Sequence, residues 1–284
     1  MKIKEVIDAL ERFAPLPLQD DYDNSGLQVG TALAEVSGAL LCLDVTLDVV
    51  HEAIRKGCNL VISHHPLLFR PLKQVCDTDF NGRIVMEAVR NGITLYACHT
   101  NLDNAAGGVS MRMAQILGLH DCRPLDEAEN GNGAGIIGEL AQDISDQELL
   151  SMIGHLFKVP CLRHNGPLGR PVRRIALCGG SGAFLIDKAA SLGADAFLTG
   201  EISYHRFFGY DGIVKLIEAG HYETSHQRGR AARQPVGAAL VSERSQARLH
   251  GDSEVADEAA IPGDPCRPGL YVRPGGGGGA RGDE

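Results

Sequence analysis

The sequence predicts an α/β protein of two lobes, each a mostly parallel sheet covered by helices, with a site expected between the lobes at the strand C-terminal ends. Three observations predict it. Apolar runs of strand length alternate with helix-like stretches whose apolar residues recur every three or four positions. The connections between them are short. The pattern is then played through a second time, after the Gly/Asn-rich stretch ENGNGAG at 129–135. The expected division is a first lobe over 1–124, a second over 134–224, and a dissimilar tail over 225–284.

Each element has a local reason. MKIKEVIDALERFA places Ile3, Val6, Ile7, Leu10 and Phe13 on one helical face, which is not the pattern of a signal peptide, so the cytoplasm is the expected location. VSGALLCLDV is a continuous apolar run of the kind found in buried strands. Thr46 then caps the helix LDVVHEAIRKG, which Gly57 stops. NLVISHH reads as a strand, GRIVMEAVRNG as a helix stopped by Gly92, ITLYACH as a strand, and GGVSMRMAQILGL as a helix. In the second pass, GIIGEL is a strand and SDQELLSMIGHLF a helix opened by the capping-box spacing of Ser145 and Glu148. PVRRIALCGG, FLIDKAASLG, ADAFLTG and GIVKLIEAG follow as strand, helix, strand and strand.

Composition removes several classes of function. A net charge of −9 argues against a non-specific nucleic-acid binder. No apolar stretch has the length a bilayer span requires. None of the eight cysteines falls in a C-x-x-C pair, and Cys42, Cys98 and Cys178 sit in apolar runs as buried, reduced thiols would.

Chemistry collects where the strands end, which is where open α/β sheets bind ligands. NLVIS runs into His64-His65-Pro66, ITLYAC into HTNLD with His99 and Asp103, and IVKLIEAG into His221. Imidazole with carboxylate suits zinc, iron, manganese, nickel or cobalt. Adjacent histidines on a regular strand face opposite ways; at an end bent by Pro66 they can diverge toward two neighbouring ions. Taken singly, His-His and HxxxD read more simply as surface or satisfied core pairs, and it is their joint placement that points to metal. Weaker candidates share the rim. CGGSGAF, 178–184, could hold a phosphate or be a tight turn, and Tyr204 and His205 could line a pocket. Asp21, Asp23 and Asn24 read as turn and capping residues, and Asp44 as a cap for the helix after it.

DYDNSGLQVG, LCLDVT, ISHHPLLFRPLK, YACHTNLDNAAGGV, LCGGSGAF, DAFLTGEISYH and AGHYET occur in this order. Together, over residues 1–224, they resemble the GTP cyclohydrolase 1 type 2 homologues, a family of hexameric proteins with a dinuclear metal centre. The resemblance implies two α/β lobes per subunit, a ring-shaped homohexamer, and two divalent ions per subunit. It implies His64, His65, Asp103 and His221 as metal ligands, with His99 a neighbour of the site. The short span between Leu119 and Arg174 matches the compact form, without an inserted domain. The activity implied is metal-dependent hydrolysis of a purine nucleotide such as GTP; the alternative is a non-enzymatic ring that carries or senses metal, or acts as a scaffold.

One implied ligand is missing. The family places a bridging glutamate four residues after the last histidine, where this chain has Ser225. Glu223 stands in a different register, and His226 could substitute only with a rearranged backbone. A hydroxyl cannot neutralise two divalent ions as a carboxylate does, so one ion is expected to bind well. Beyond Ser225 there is no Lys and no Phe, and the chain ends in YVRPGGGGGARGDE. That is the composition of GC-rich DNA read out of frame, and a frameshift near codon 225 is the expectation, with a disordered tail as the alternative.

Overall fold

A computed structural model describes residues 1–127, 133–224 and 248–252 of the chain. The apolar stripe at the start folds as α1 (Ile3–Phe13), which buries Ile3, Val6, Ile7 and Leu10. Four strands follow: β1 (Gly26–Val29), β2 (Gly38–Cys42), β3 (Leu60–Ser63) and β4 (Thr94–Ala97). They lie in the order β1-β4-β3-β2, with β2, β3 and β4 parallel and β1 antiparallel to β4. Between β2 and β3 runs α2 (Leu47–Lys56), where Thr46 Oγ1 accepts the Val49 amide and Gly57 ends the helix in a left-handed conformation (φ +68°). α3 (Phe80–Arg90) leads to β4 and is capped by Asp79, which accepts the Gly82 amide. After β4 come the single turn α4 (Thr100–Asp103) and α5 (Val109–Ile116).

The second sheet takes in residues from His120 onward. β5 (His120–Glu127) pairs antiparallel with β6 (Gly133–Ile144), which leads into α6 (Asp146–Phe157) through the Ser145–Glu148 capping box. β7 (Arg163–His164), β8 (Val172–Cys178), α7 (Ile186–Ser191), β9 (Ala196–Thr199) and β10 (Lys215–Glu218) complete the order β5-β6-β8-β9-β10-β7. Its centre, β8-β9-β10, is parallel, as the strand–helix alternation requires, while β5, β6 and β7 join antiparallel.

The period-two alternation of buried strands sorts their side chains into layers. Leu60 and Ile62 of β3 face a central layer that also holds α1, α5 and α6 and reaches Ile175, Leu177 and Leu198 of the second sheet. Val61 and Leu95 point the other way, against Val49, Ala53 and Ile84 of α2 and α3. Ala176, Phe197 and Leu216 likewise face Ile186 and Ala189 of α7. The two sheets thus share one core, and the C-terminal ends of their parallel strands carry the candidate site.

β10 is pinned at its start by Lys215. Its side chain is 2 % exposed, and Nζ donates to the Asn165 and Gly166 carbonyls at 3.1 Å and lies 3.6 Å from Asp146 Oδ2. Burial lowers the Lys215 pKa below its ordinary value, against the opposing pull of Asp146.

β11 (Arg248–Asp252) pairs in parallel with β2 and closes that edge of the first sheet, so the segment after 224 contributes a strand. Ser225 and His226 lie outside the described residues. No helix among the described residues is long and apolar enough to cross a membrane.

Candidate metal centre

β3 delivers the histidine pair by leaving the sheet at its last residue. The Ser63 hydroxyl donates to the His65 carbonyl at 2.8 Å, and the His64 and His65 amides both donate to the Leu43 carbonyl beyond β2. The two rings end 4.8 Å apart between centroids at 62°, with His64 buried and His65 partly exposed. β4 delivers His99 on the turn into α4. The His99 amide donates to Asn101 Oδ1, and the fully buried Asn101 donates in turn to the Ala14 carbonyl. The turn also carries Asp103, whose Oδ2 lies 3.8 Å from His64 Nε2. From the second lobe, β10 runs through Gly220 (φ +85°) into His221, whose Nε2 sits 3.3 Å from His65 Nε2.

The five residues singled out from sequence therefore converge. Among the described residues, His64, His65 and His99 form a group in which one ring nitrogen of each lies within 4.8 Å of the others. The sequence placed His99 beside the site; the structure puts its ring 5.0 Å from that of His64 and 5.5 Å from that of His65.

Three carboxylates orient these rings, two of them read from sequence as turn or capping residues and the third not singled out. Asp44 Oδ1 lies 2.7 Å from His65 Nδ1, Asp23 Oδ1 2.7 Å from His99 Nδ1, and Glu201 Oε1 3.0 Å from His221 Nδ1. Asp44 does not cap α2, because Thr46 does. A carboxylate at Nδ1 makes that nitrogen the N–H donor and leaves Nε2 as a lone-pair acceptor. Where both rings are neutral, the Nε2 atoms of His65 and His221 face each other at 3.3 Å as two acceptors, an arrangement that a shared cation stabilises. Zn–N bonds of about 2.0–2.1 Å set two tetrahedral nitrogens roughly 3.3–3.4 Å apart. Neutral imidazoles and carboxylates in this arrangement fit a divalent ion.

Burial alone would raise the Asp23 carboxyl, but hydrogen bonds from His99, Thr100 and Ser25 hold it far below the usual carboxylate range. Glu201 is lowered in the same manner, its partial burial outweighed by the Ser181 hydroxyl and by His221.

A cavity of about 290 Å³ opens beside the rings, with His99, Asp103 and His221 on its walls and Tyr22, Phe69 and Phe184 among its lining. Tyr204 and His205 are exposed and meet edge to face outside it. CGGSGAF is a tight turn: the Gly179, Gly180 and Gly182 amides go to the hydroxyls of Ser110, Thr224 and Thr199, so they do not cradle a phosphate. Asn24 donates to the Leu68 carbonyl, and Asp21 is exposed. Glu223 lies on the helical residues 221–224, with its carboxylate folded back over Gly220. The cysteines among the described residues are not disulfide-bonded, and burial pushes the Cys98 thiol up to about 12.

The sequence matches the family model Duf34/NIF3 (NGG1p interacting factor 3) over residues 1–238. A Clostridium acetobutylicum protein named GTP cyclohydrolase 1 type 2 homolog is 34% identical over 228 residues, covering 79% of this chain and 85% of its own. A Clostridium perfringens protein of the same name is 33% identical over 267 residues, 92% of this chain and 98% of its own. Both the family match and this second alignment run past residue 224, where the sequence motifs end. The crystal structure of Staphylococcus aureus hypothetical protein SA1388 superposes with a TM-score of 0.83 at 26% identity, covering 93% of this chain and 99% of that one.

Proposed function

The chain belongs to the Duf34/NIF3 family, and on that footing we propose that it is a metal-dependent hydrolase acting on a purine nucleotide such as GTP. The observation that carries this is the convergence of His64, His65, His99 and His221 with Asp103 at the wall of a cavity, three of the rings held by carboxylates at Nδ1. His64, His65, Asp103 and His221 are the proposed ligands, and His99 stands close enough to join them. Divalent ions held there would polarise the atom under attack and lower the pKa of a bound water.

The rest of the work falls to the protein's own groups. Asp23, Asp44 and Glu201 fix ring direction and tautomer. Tyr22 and Phe69, with ring centroids 6.2 Å apart, offer apolar faces on which a flat heterocycle can stack. The purine reading also draws on the name printed for the two Clostridium relatives. With Ser225 at the position of the expected bridging acid, one ion binds tightly and a second more weakly. The family resemblance further supports a homohexameric ring, and the amphipathic helix at the start of the sequence a cytoplasmic location.

The test is GTP turnover with added Mn²⁺ or Zn²⁺, followed by chromatography of the products beside elemental analysis of bound metal. Metal-dependent turnover that disappears in Asp103→Ala supports the hydrolase. Tight metal binding with no turnover across a nucleotide panel replaces it with the carrier or sensor reading.

A further inference from the structure

We infer that Glu201 is a positioning residue for the metal centre: it holds His221 with Nε2 turned inward, and Ser181 on the glycine-rich turn holds Glu201. The inference rests on the metal-centre reading and concerns the half of the site that the second lobe supplies.

His221 follows a left-handed glycine beyond the end of β10, and its side chain is about one third exposed. An imidazole in that setting can flip its ring and exchange tautomers, so something must choose for it. Glu201 Oε1 accepts from Nδ1 at 3.0 Å, which leaves Nε2 to face His65 Nε2. Glu201 is itself 57% exposed, and an exposed glutamate is ordinarily free to change rotamer. Here its other carboxylate oxygen, Oε2, accepts the Ser181 hydroxyl, so both oxygens are engaged. Its backbone is tied to the same turn, because the Gly180 carbonyl accepts the Gly200 amide at 2.8 Å and the Glu201 amide at 3.1 Å. The turn that could have cradled a phosphate instead grips Glu201 by backbone and side chain.

Gly200 makes this grip possible. A Cβ there would stand 2.7 Å from Thr224 Oγ1, 2.8 Å from the Gly180 oxygen and 3.0 Å from His221 Cα. Thr224 Oγ1 accepts the Gly180 amide and donates to the Gly220 carbonyl. The ends of β8, β9 and β10 are thereby sewn together around the ring they present.

The experiment compares full-length wild type, Glu201→Ala, Glu201→Gln and Ser181→Ala. Zn²⁺ affinity and stoichiometry are measured by chelator competition, and histidine tautomers in the metal-free proteins by long-range ¹H–¹⁵N spectra. Glu201→Ala should lose about 10–100-fold in affinity at one site, the range found when a carboxylate behind a ligating histidine is removed. Its His221 should change from a pure Nδ1–H form to a mixture, with the melting temperature unmoved. Glu201→Gln keeps an acceptor oxygen and should restore most of the affinity, while Ser181→Ala should fall between. Unchanged affinity and tautomer in Glu201→Ala, or a glutamine variant as weak as the alanine one, overturns the inference. A wild type that takes up no metal removes the metal-centre reading itself, and the spectra then still decide whether Glu201 sets the tautomer.

Discussion

Two of the three histidine–carboxylate pairs at the centre, one from each lobe, are built differently. In the first lobe Asp23 meets His99 Nδ1 at 2.7 Å, and in the second Glu201 meets His221 Nδ1 at 3.0 Å. The Asp23 side chain is wholly buried and also accepts from the Thr100 amide and hydroxyl, the Ser25 hydroxyl and the Asn24 amide. Glu201 is largely exposed, with Ser181 as its second side-chain donor. The same chemical pair is therefore part of the packing at Asp23 and a surface adjustment at Glu201, and the first-lobe pair of Asp44 with His65 is exposed like the latter.

Four measurements break or sharpen that contrast. The largest effect belongs to Asp103→Ala, which removes a carboxylate from the first-lobe half. Metal affinity should fall by on the order of 100-fold or more, beyond the loss from removing an outer carboxylate; chelator competition measures it, and a loss no greater than that of Glu201→Ala would make the two halves equivalent. Next is Asp23→Ala, which strands buried donors of His99, Thr100 and Ser25. Breaking one partner of such a buried network costs about 3–5 kcal/mol, so urea unfolding should show a large drop where Glu201→Ala shows none. If both variants unfold alike, burial does not separate the pairs. Gly200→Ala should cost about 1–3 kcal/mol through overpacking and also weaken metal binding, because the added methyl presses on His221; unchanged affinity would show that the seam around Gly200 can yield without moving the ring.

The smallest effect is a pH dependence far from the metal. Burial sets the Lys215 pKa below its ordinary 10.5, so between its folded and unfolded values the unfolded chain binds more protons. Stability contributed by this group therefore rises as pH climbs through the folded value toward 10.5. Urea midpoints of wild type across pH 8 to 10, set against Lys215→Met, should show this rise in the wild type alone.

The parallel cores of both sheets and the five converging residues were legible because apolar runs and strand ends carry their own signal. Thr46, Gly57 and the Ser145–Glu148 box act as their sequence suggests. The remainder escaped for identifiable reasons. β5, HDCRPLDE, is a mostly exposed edge strand containing a proline, and neither period-two alternation nor apolarity marks it. β11 has one apolar residue, Leu249, and is defined by backbone pairing with β2. Asp23 and Asp44 sit in sequence contexts that suit caps and turns equally well, and their pairing with a distant histidine exists only once the strands are side by side.

β11 has a consequence in time as well as space. The strand that completes the first sheet is synthesised after the whole of the second, so β2 must wait with its outer backbone edge open. At about 5–20 residues per second that wait lasts roughly 10 to 40 s on the ribosome. An open edge is a template for another chain's strand. A truncation ahead of Arg248 would leave that edge of β2 unpaired, so the last described strand protects the backbone of one of the first.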